Sequence, residues 1–272
     1  MSIDEVSLSK GELYTFVTNK NTGVKNKKSI VAVINGTEAQ TITSVLEKIN
    51  LQSRLKVNEV TMDMARNMAL AVEKSFPNCF KVIDRFHVVR LVIEAAQHLR
   101  TKLRWEVMEQ ENKTVKEFKA RGEKYYPEIL SNGDTARELL VRSRYLLFSY
   151  KEDWTVNQSK RAALLFEKYP ILKQAYQLTI AFRKIYECPS KEKALIAFND
   201  WKVKVVQSKI DAFNTVVNSI EYHLDNILNF FFNRNTNANA ESFNSKIKGF
   251  RANLRGVSDV KFFLFRLEKL FA

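Results

Sequence analysis

No glycine interrupts the chain between Gly133 and Gly249, and that absence restricts the fold more than any single motif. Tight hairpin turns need residues that tolerate positive φ, glycine above all, so a stretch this long without one is a poor candidate for antiparallel sheet. The prolines Pro127, Pro170 and Pro189 stand at plausible helix boundaries rather than inside apolar repeats. Helical periodicity, rich in Lys, Arg, Leu and aromatic residues, dominates from Arg85 to about Phe232. The polar run "NRNTNANAE" then breaks the pattern, and a last helical region follows to Ala272.

The first quarter differs in kind. "SIDEVSL" and "ELYTFVTN" flank "SKG" as a hairpin pair, and "SIVAVIN" follows as a third strand. Gly36-Thr37-Glu38 opens a predicted helix through about Asn50, with Ile42, Val45, Leu46 and Ile49 on one face. "VNEVTM" predicts a fourth strand, Met64 to Ser75 a second helix, and "FKVID" a fifth strand. Three strands followed by strands alternating with helices describe an α/β unit with a mixed sheet. In the helical block, Trp105, Trp154 and Trp201 are expected in the core rather than as stacking platforms.

Charge points to a class of partner. Lys and Arg number 44 against 30 Asp and Glu, a formal net charge of +14. An excess of this size suits a polyanion such as nucleic acid, the alternative being a solvated basic surface. The two cysteines, Cys79 and Cys188, are too few and too far apart for a disulfide framework or a Cys-based zinc site. A reducing compartment is the natural expectation. "MSIDEVSLSK" lacks the character of a signal peptide, and no apolar run approaches the roughly 20 residues that span a bilayer. The expectation is a cytoplasmic, nucleoid-associated protein with no membrane partner.

Three carboxylates invite a closer look. Asp63 precedes "MARNMALAV" and Asp84 precedes "RFHVVRLVIEAA", so either could simply cap a helix. Asp4 lies in the first strand between Ile3 and Val6, beside another acid, where a carboxylate contributes little to packing. Ligands and metals gather at strand ends in α/β sheets, and carboxylates on neighbouring strands suit a hard cation such as Mg2+. A third acid is Glu241 in "NANAESFNSKIKGFR". On a helix Phe243, Ile247 and Phe250 form one stripe, with Glu241, Asn244, Ser245 and Lys248 opposite.

Taken in order, "IDE", "TMDM", "SFP-x-x-F-x-VIDRFHVVR" and "NANAESFNSKIKGFR" resemble the bacterial insertion-sequence transposases of the ISL-three family. The resemblance runs from near Ser2 to near Arg266 and is strongest over residues 58 to 90 and 233 to 251. It implies a DDE transposase with an RNase H-like mixed five-stranded sheet flanked by helices. A large all-α insertion would lie between the fifth strand and the helix carrying the catalytic Glu, giving core regions at 1–87 and 233–272 around an insertion at 88–232. It implies Asp4, Asp63 and Glu241 as catalytic metal ligands for Mg2+, with Mn2+ as a substitute. In related groups the second acid is followed by Cys or Asp, two residues, and His, here Asp84-Arg85-Phe86-His87. Asp84, His87, Asn237 and Asn244 then support the site, although a merely packed His87 is the alternative.

Arg85, Arg234, Lys246, Lys248 and Arg251 would contact DNA, both transposon ends and target, and the chain would form a homo-oligomer when assembled on DNA. The family's N-terminal zinc-binding and helix-turn-helix regions do not occur in these residues, so a C-terminal catalytic part is expected. Readings from other classes are a non-catalytic DNA-binding remnant of a transposase and a less specific RNase H-like nuclease.

Overall fold

The computed structural model describes residues 1–7, 13–19, 30–234, 245–247, 249–251 and 259–271. It divides into two compact units, one of Met1–Val88 with His223–Ala272 and one of Val89–Tyr222. No helix among the described residues is long and apolar enough to cross a membrane.

The first unit is built on a five-stranded mixed sheet in the order β3-β2-β1-β4-β5. Its strands are β1 (Ser2–Ser7), β2 (Leu13–Thr18), β3 (Ile30–Asn35), β4 (Glu59–Met62) and β5 (Phe80–Ile83). β1 pairs antiparallel with β2, and β2 with β3, whereas β1/β4 and β4/β5 are parallel. Gly36, at φ 98°, adopts a backbone that side-chain-bearing residues avoid, and its amide donates to the Leu13 carbonyl at 2.9 Å to close the edge of the meander.

Two helical layers follow from the apolar spacing. α1 (Ala39–Leu46) buries Ile42, Thr43 and Leu46, and packs against α3 (Arg66–Ser75), which buries Met68, Ala71, Val72 and Ser75. The helix predicted through about Asn50 ends earlier, at Leu46, and a second one follows at Leu51. The Asn50 side chain accepts the Gln52 amide at 2.8 Å and caps a separate short helix α2 (Leu51–Arg54), because Asn competes for local backbone donors. Elsewhere, Val6, Tyr14 and Phe16 form a buried cluster with Ile247 and with Phe263 and Leu267 of the C-terminal helix (Val260–Phe271, α12 in chain order).

The second unit is helical. It draws on α4 (Arg85–Ala120), α5 (Ala136–Arg142), α6 (Val156–Lys168), α7 (Pro170–Ile185), α8 (Lys191–Ser208) and α9 (Asp211–Tyr222). The short helices α10 (Leu224–Leu228) and α11 (Phe230–Asn233) belong to the first unit. Thr135 and Thr155 open α5 and α6 with reciprocal capping boxes, each satisfying two otherwise orphaned amides. Pro170 begins α7 at its first position, where its missing N–H costs nothing.

The three tryptophans part company. Trp201 is 2% exposed, lies 4.8 Å from the Phe182 ring and donates its indole N–H to the Leu178 carbonyl at 2.8 Å. Trp154 packs on Phe166 and Tyr176. Trp105 is 53% exposed, against the expectation of a core position. Its half of α4 has no buried residue from position 101 to 120, so there is no core there for the indole to join.

Candidate functional site

The sheet register brings the two N-terminal aspartates together. Ser2 of β1 pairs in parallel with Thr61 of β4. Two residues further along each strand come Asp4 and Asp63, so the pleat carries both to the same level on neighbouring strands. The next strand continues the row: Met62 pairs with Ile83, and the Asp84 amide donates to the Met62 carbonyl at 2.8 Å. Asp4, Asp63 and Asp84 therefore mark successive strands β1, β4 and β5.

Their surroundings differ. Asp63 is half-buried, and its Oδ1 accepts the Ala65 amide at 2.8 Å. It closes the turn ahead of α3 rather than capping the helix, since Ala65 holds the cap position and no side chain caps α3. Asp84 is 3% exposed, immediately precedes α4, and accepts the Phe86 amide at a long 3.4 Å. His87 Nε2 lies 3.9 Å from Asp84 Oδ2, an ion-pairing distance when the imidazole is protonated, and the ring meets Phe86 edge to face.

Glu5 is the neighbour that sequence reasoning passed over as a site residue. Burial first, then the negative fields of Asp63 and Asp4, push its carboxyl above the ordinary glutamate range, while a bond from the Asn67 side chain opposes the rise. Asn67 also donates to the Thr37 carbonyl, which ties α3 to the start of α1. Burial lowers the His223 imidazole below its ordinary range, against the opposing field of Asp63. The only hint of Glu5 was its place in "IDE". Nothing local distinguished Asn67 or His223, because tertiary packing alone brings them here.

These donors suit a hard divalent cation by type, since Asp4, Glu5 and Asp63 offer carboxylate oxygen alone. Among the described residues, no three His, Cys, Asp or Glu side chains form a group that could hold a metal. Glu241, Asn237, Asn244 and Lys248 lie outside the described residues. Just downstream, Ile247 is fully buried against Val6 and Phe16, while Ser245 and Lys246 are exposed. Val6 is two residues from Asp4 and Phe16 pairs with Asp4, so Ile247 packs on the sheet face that bears Asp4.

The remaining basic candidates differ in exposure. Arg85 is exposed at the start of α4, and Arg251 is partly buried. Arg234 is exposed and ends α11 in a left-handed conformation at φ 50°, with its guanidinium 5.9 Å from the Phe231 ring centroid.

An oxygen-donor acid pair on adjacent parallel strands, in a basic α/β protein, agrees with the family that the sequence match identifies. The family model of ISL3 DDE transposases, described as "Transposase", matches residues 1–267, and the chain belongs to that family. A relative is the transposase for insertion sequence element IS1001 of Bordetella parapertussis, 22% identical over 271 residues. That alignment covers 100% of this chain and 60% of the relative, so the chain spans about three fifths of the length of the relative it matches. No solved structure matches.

Proposed function

We propose that the chain is the catalytic region of a DDE transposase, cutting and joining DNA strands to move an insertion sequence. The observation that carries this reading is the pairing of β1 with β4, which sets Asp4 and Asp63 side by side with Glu5 in their field. Asp4, Asp63 and Glu241 would hold Mg2+, or Mn2+ in its place. Bound divalent ions would supply activation of the attacking oxygen and charge stabilisation at the phosphodiester.

The chain's own residues have distinct parts. Asp4 and Asp63 present carboxylate oxygens from strands whose ladder holds them in place. Asn67 steadies Glu5, and the buried Asp84 fixes the entry of α4, whose first turn carries Arg85 and His87. Arg85, Arg234, Lys246, Lys248 and Arg251 meet phosphates, which position DNA without reading its sequence. The strand order β3-β2-β1-β4-β5 supports an RNase H-like core. The contiguous helical unit Val89–Tyr222 supports an insertion within that core. Assembly on DNA as a homo-oligomer, in the cytoplasm at the nucleoid, completes the reading.

Calorimetric titration of the chain with Mn2+ tests it. Binding that is lost in Asp4→Asn and in Asp63→Asn supports the metal-dependent enzyme. No binding by the unmodified chain would leave the non-catalytic DNA-binding remnant as the better reading.

A further inference from the structure

The helical unit joins two acid-free stretches of the chain. "AAQHLRTKLRW" (95–105) in α4 and "LLVRSRYLLFSYK" (139–151) contain no Asp or Glu between them. The Gln97 side chain donates to the Arg144 carbonyl at 2.8 Å, and Arg100 Nη1 donates to the Leu140 carbonyl at 2.9 Å, so the two lie against each other.

Arg100 is the buried member. It is 7% exposed, and its partners are the Gln97 side chain, the Leu140 carbonyl and, at 3.5 Å, the Thr101 hydroxyl, all neutral. Burial first, then the positive fields of Arg104 and Arg144, hold its guanidinium below the ordinary arginine range. Among the described residues, no carboxylate ion-pairs with any of the three. Like charges gathered without a carboxylate raise the local positive potential, which draws a polyanion.

The same surface carries aromatic rings. The Arg104 guanidinium sits 5.1 Å from the Trp105 ring centroid, and that of Arg144 sits 5.5 Å from the ring centroid of Tyr145, which is 71% exposed. Exposed rings interleaved with arginine are the means by which proteins hold single strands: phosphates meet the guanidiniums and unstacked bases lie on the rings. Duplex DNA offers the phosphates but keeps its bases stacked inside.

We propose that the surface formed by α4 and the turn after α5, where Arg104, Trp105, Arg144 and Tyr145 surround the buried Arg100, is a binding site for single-stranded or locally unpaired DNA. The site goes beyond the metal-dependent reading and uses none of its residues. It is therefore tested in EDTA, where failure of the metal site has no effect.

The experiment is fluorescence anisotropy with the full chain, a labelled single-stranded 20-mer and the same sequence as duplex, at several salt concentrations. Arg104→Ala/Arg144→Ala weakens binding, and lowers the slope of log affinity against log salt by about 1.4 on the single strand, two phosphates' worth. Trp105→Ala weakens single-strand binding at least about fivefold and spares the duplex, whereas Trp105→Phe, which keeps a ring, restores most of the loss. The exposed pair Lys173→Ala/Lys204→Ala removes the same charge elsewhere in the unit and serves as the control. An arginine variant indistinguishable from that control overturns the site. So does a Trp105→Ala loss that is equal on single strand and duplex.

Discussion

Asp63 and Asp84 stand at the ends of adjacent parallel strands, tied through the bond from the Asp84 amide to the Met62 carbonyl, yet only Asp84 is sealed from solvent. Two residues of the same type, one strand apart, therefore have different work. Asp63→Asn is expected to lower Mn2+ affinity by more than about tenfold, a loss that even outer-shell changes can cause. Asp84→Asn keeps a capping oxygen and is expected to leave metal binding largely intact. Asp84→Ala should cost about 1 kcal/mol in urea unfolding through the lost cap. The reverse order of losses in calorimetry would exchange the two roles.

Trp201 and Trp105 should separate stability from surface function. Trp201→Ala opens a cavity beside Phe182 and Phe198 and removes the indole bond to the Leu178 carbonyl, so a loss of about 3–5 kcal/mol is expected. Trp105→Ala should change stability by no more than about 0.5 kcal/mol, as for other exposed sites. Urea melts of the two variants check both values.

Asp134 anchors the approach to α5. It is 1% exposed, accepts bonds from Arg142, Arg161 and the Asn132 side chain, and directly precedes the Thr135 capping box. Asp134→Ala is expected to cost about 1–3 kcal/mol, the range for a lost buried acceptor, because both arginines retain access to water. Thr135→Ala should cost about 1 kcal/mol by itself. A double mutant that loses less than the sum would show that the two anchor the same turn.

Tyr176 should titrate late. Burial first, then the field of Glu152, pushes its phenol up to about 12, and its hydroxyl donates to the Ser149 carbonyl at 3.0 Å. The folded protein thus favours the neutral phenol, and an unfolded chain ionises it near 10. Stability from this group is present below pH 10 and falls as pH rises from about 10 towards 12. Ultraviolet difference titration should show this late phase in the parent chain and its absence in Tyr176→Phe.

The strands were legible because β-branched and aromatic runs such as "LYTFVT" and "IVAVIN" sit between polar loops, and the local chemistry agrees with the global pairing. The end of α1 at Leu46 was hidden because the apolar period continues through Ile49, and the only signal for α2 is the single amide side chain of Asn50. Trp105 was misread from its residue type, since burial of one ring depends on what α4 faces over that half of its length. Asp4 and Asp63 could be singled out one by one. Their common level could not, because it depends on a parallel register between segments some sixty residues apart. Glu5 entered the group only through that register and through Asn67 on a later helix.

The chain order of the first unit bears on its biosynthesis. Val6, Tyr14 and Phe16 leave the ribosome long before their partners Ile247, Phe263 and Leu267. All of Val89–Tyr222 is made before any of those partners exists. The apolar face of the hairpin must therefore wait, exposed, while the helical unit is made, which is when unpaired strands are most open to aggregation. Emergence of the helix Val260–Phe271 from the ribosome, rather than formation of the hairpin, is then the step that covers this face.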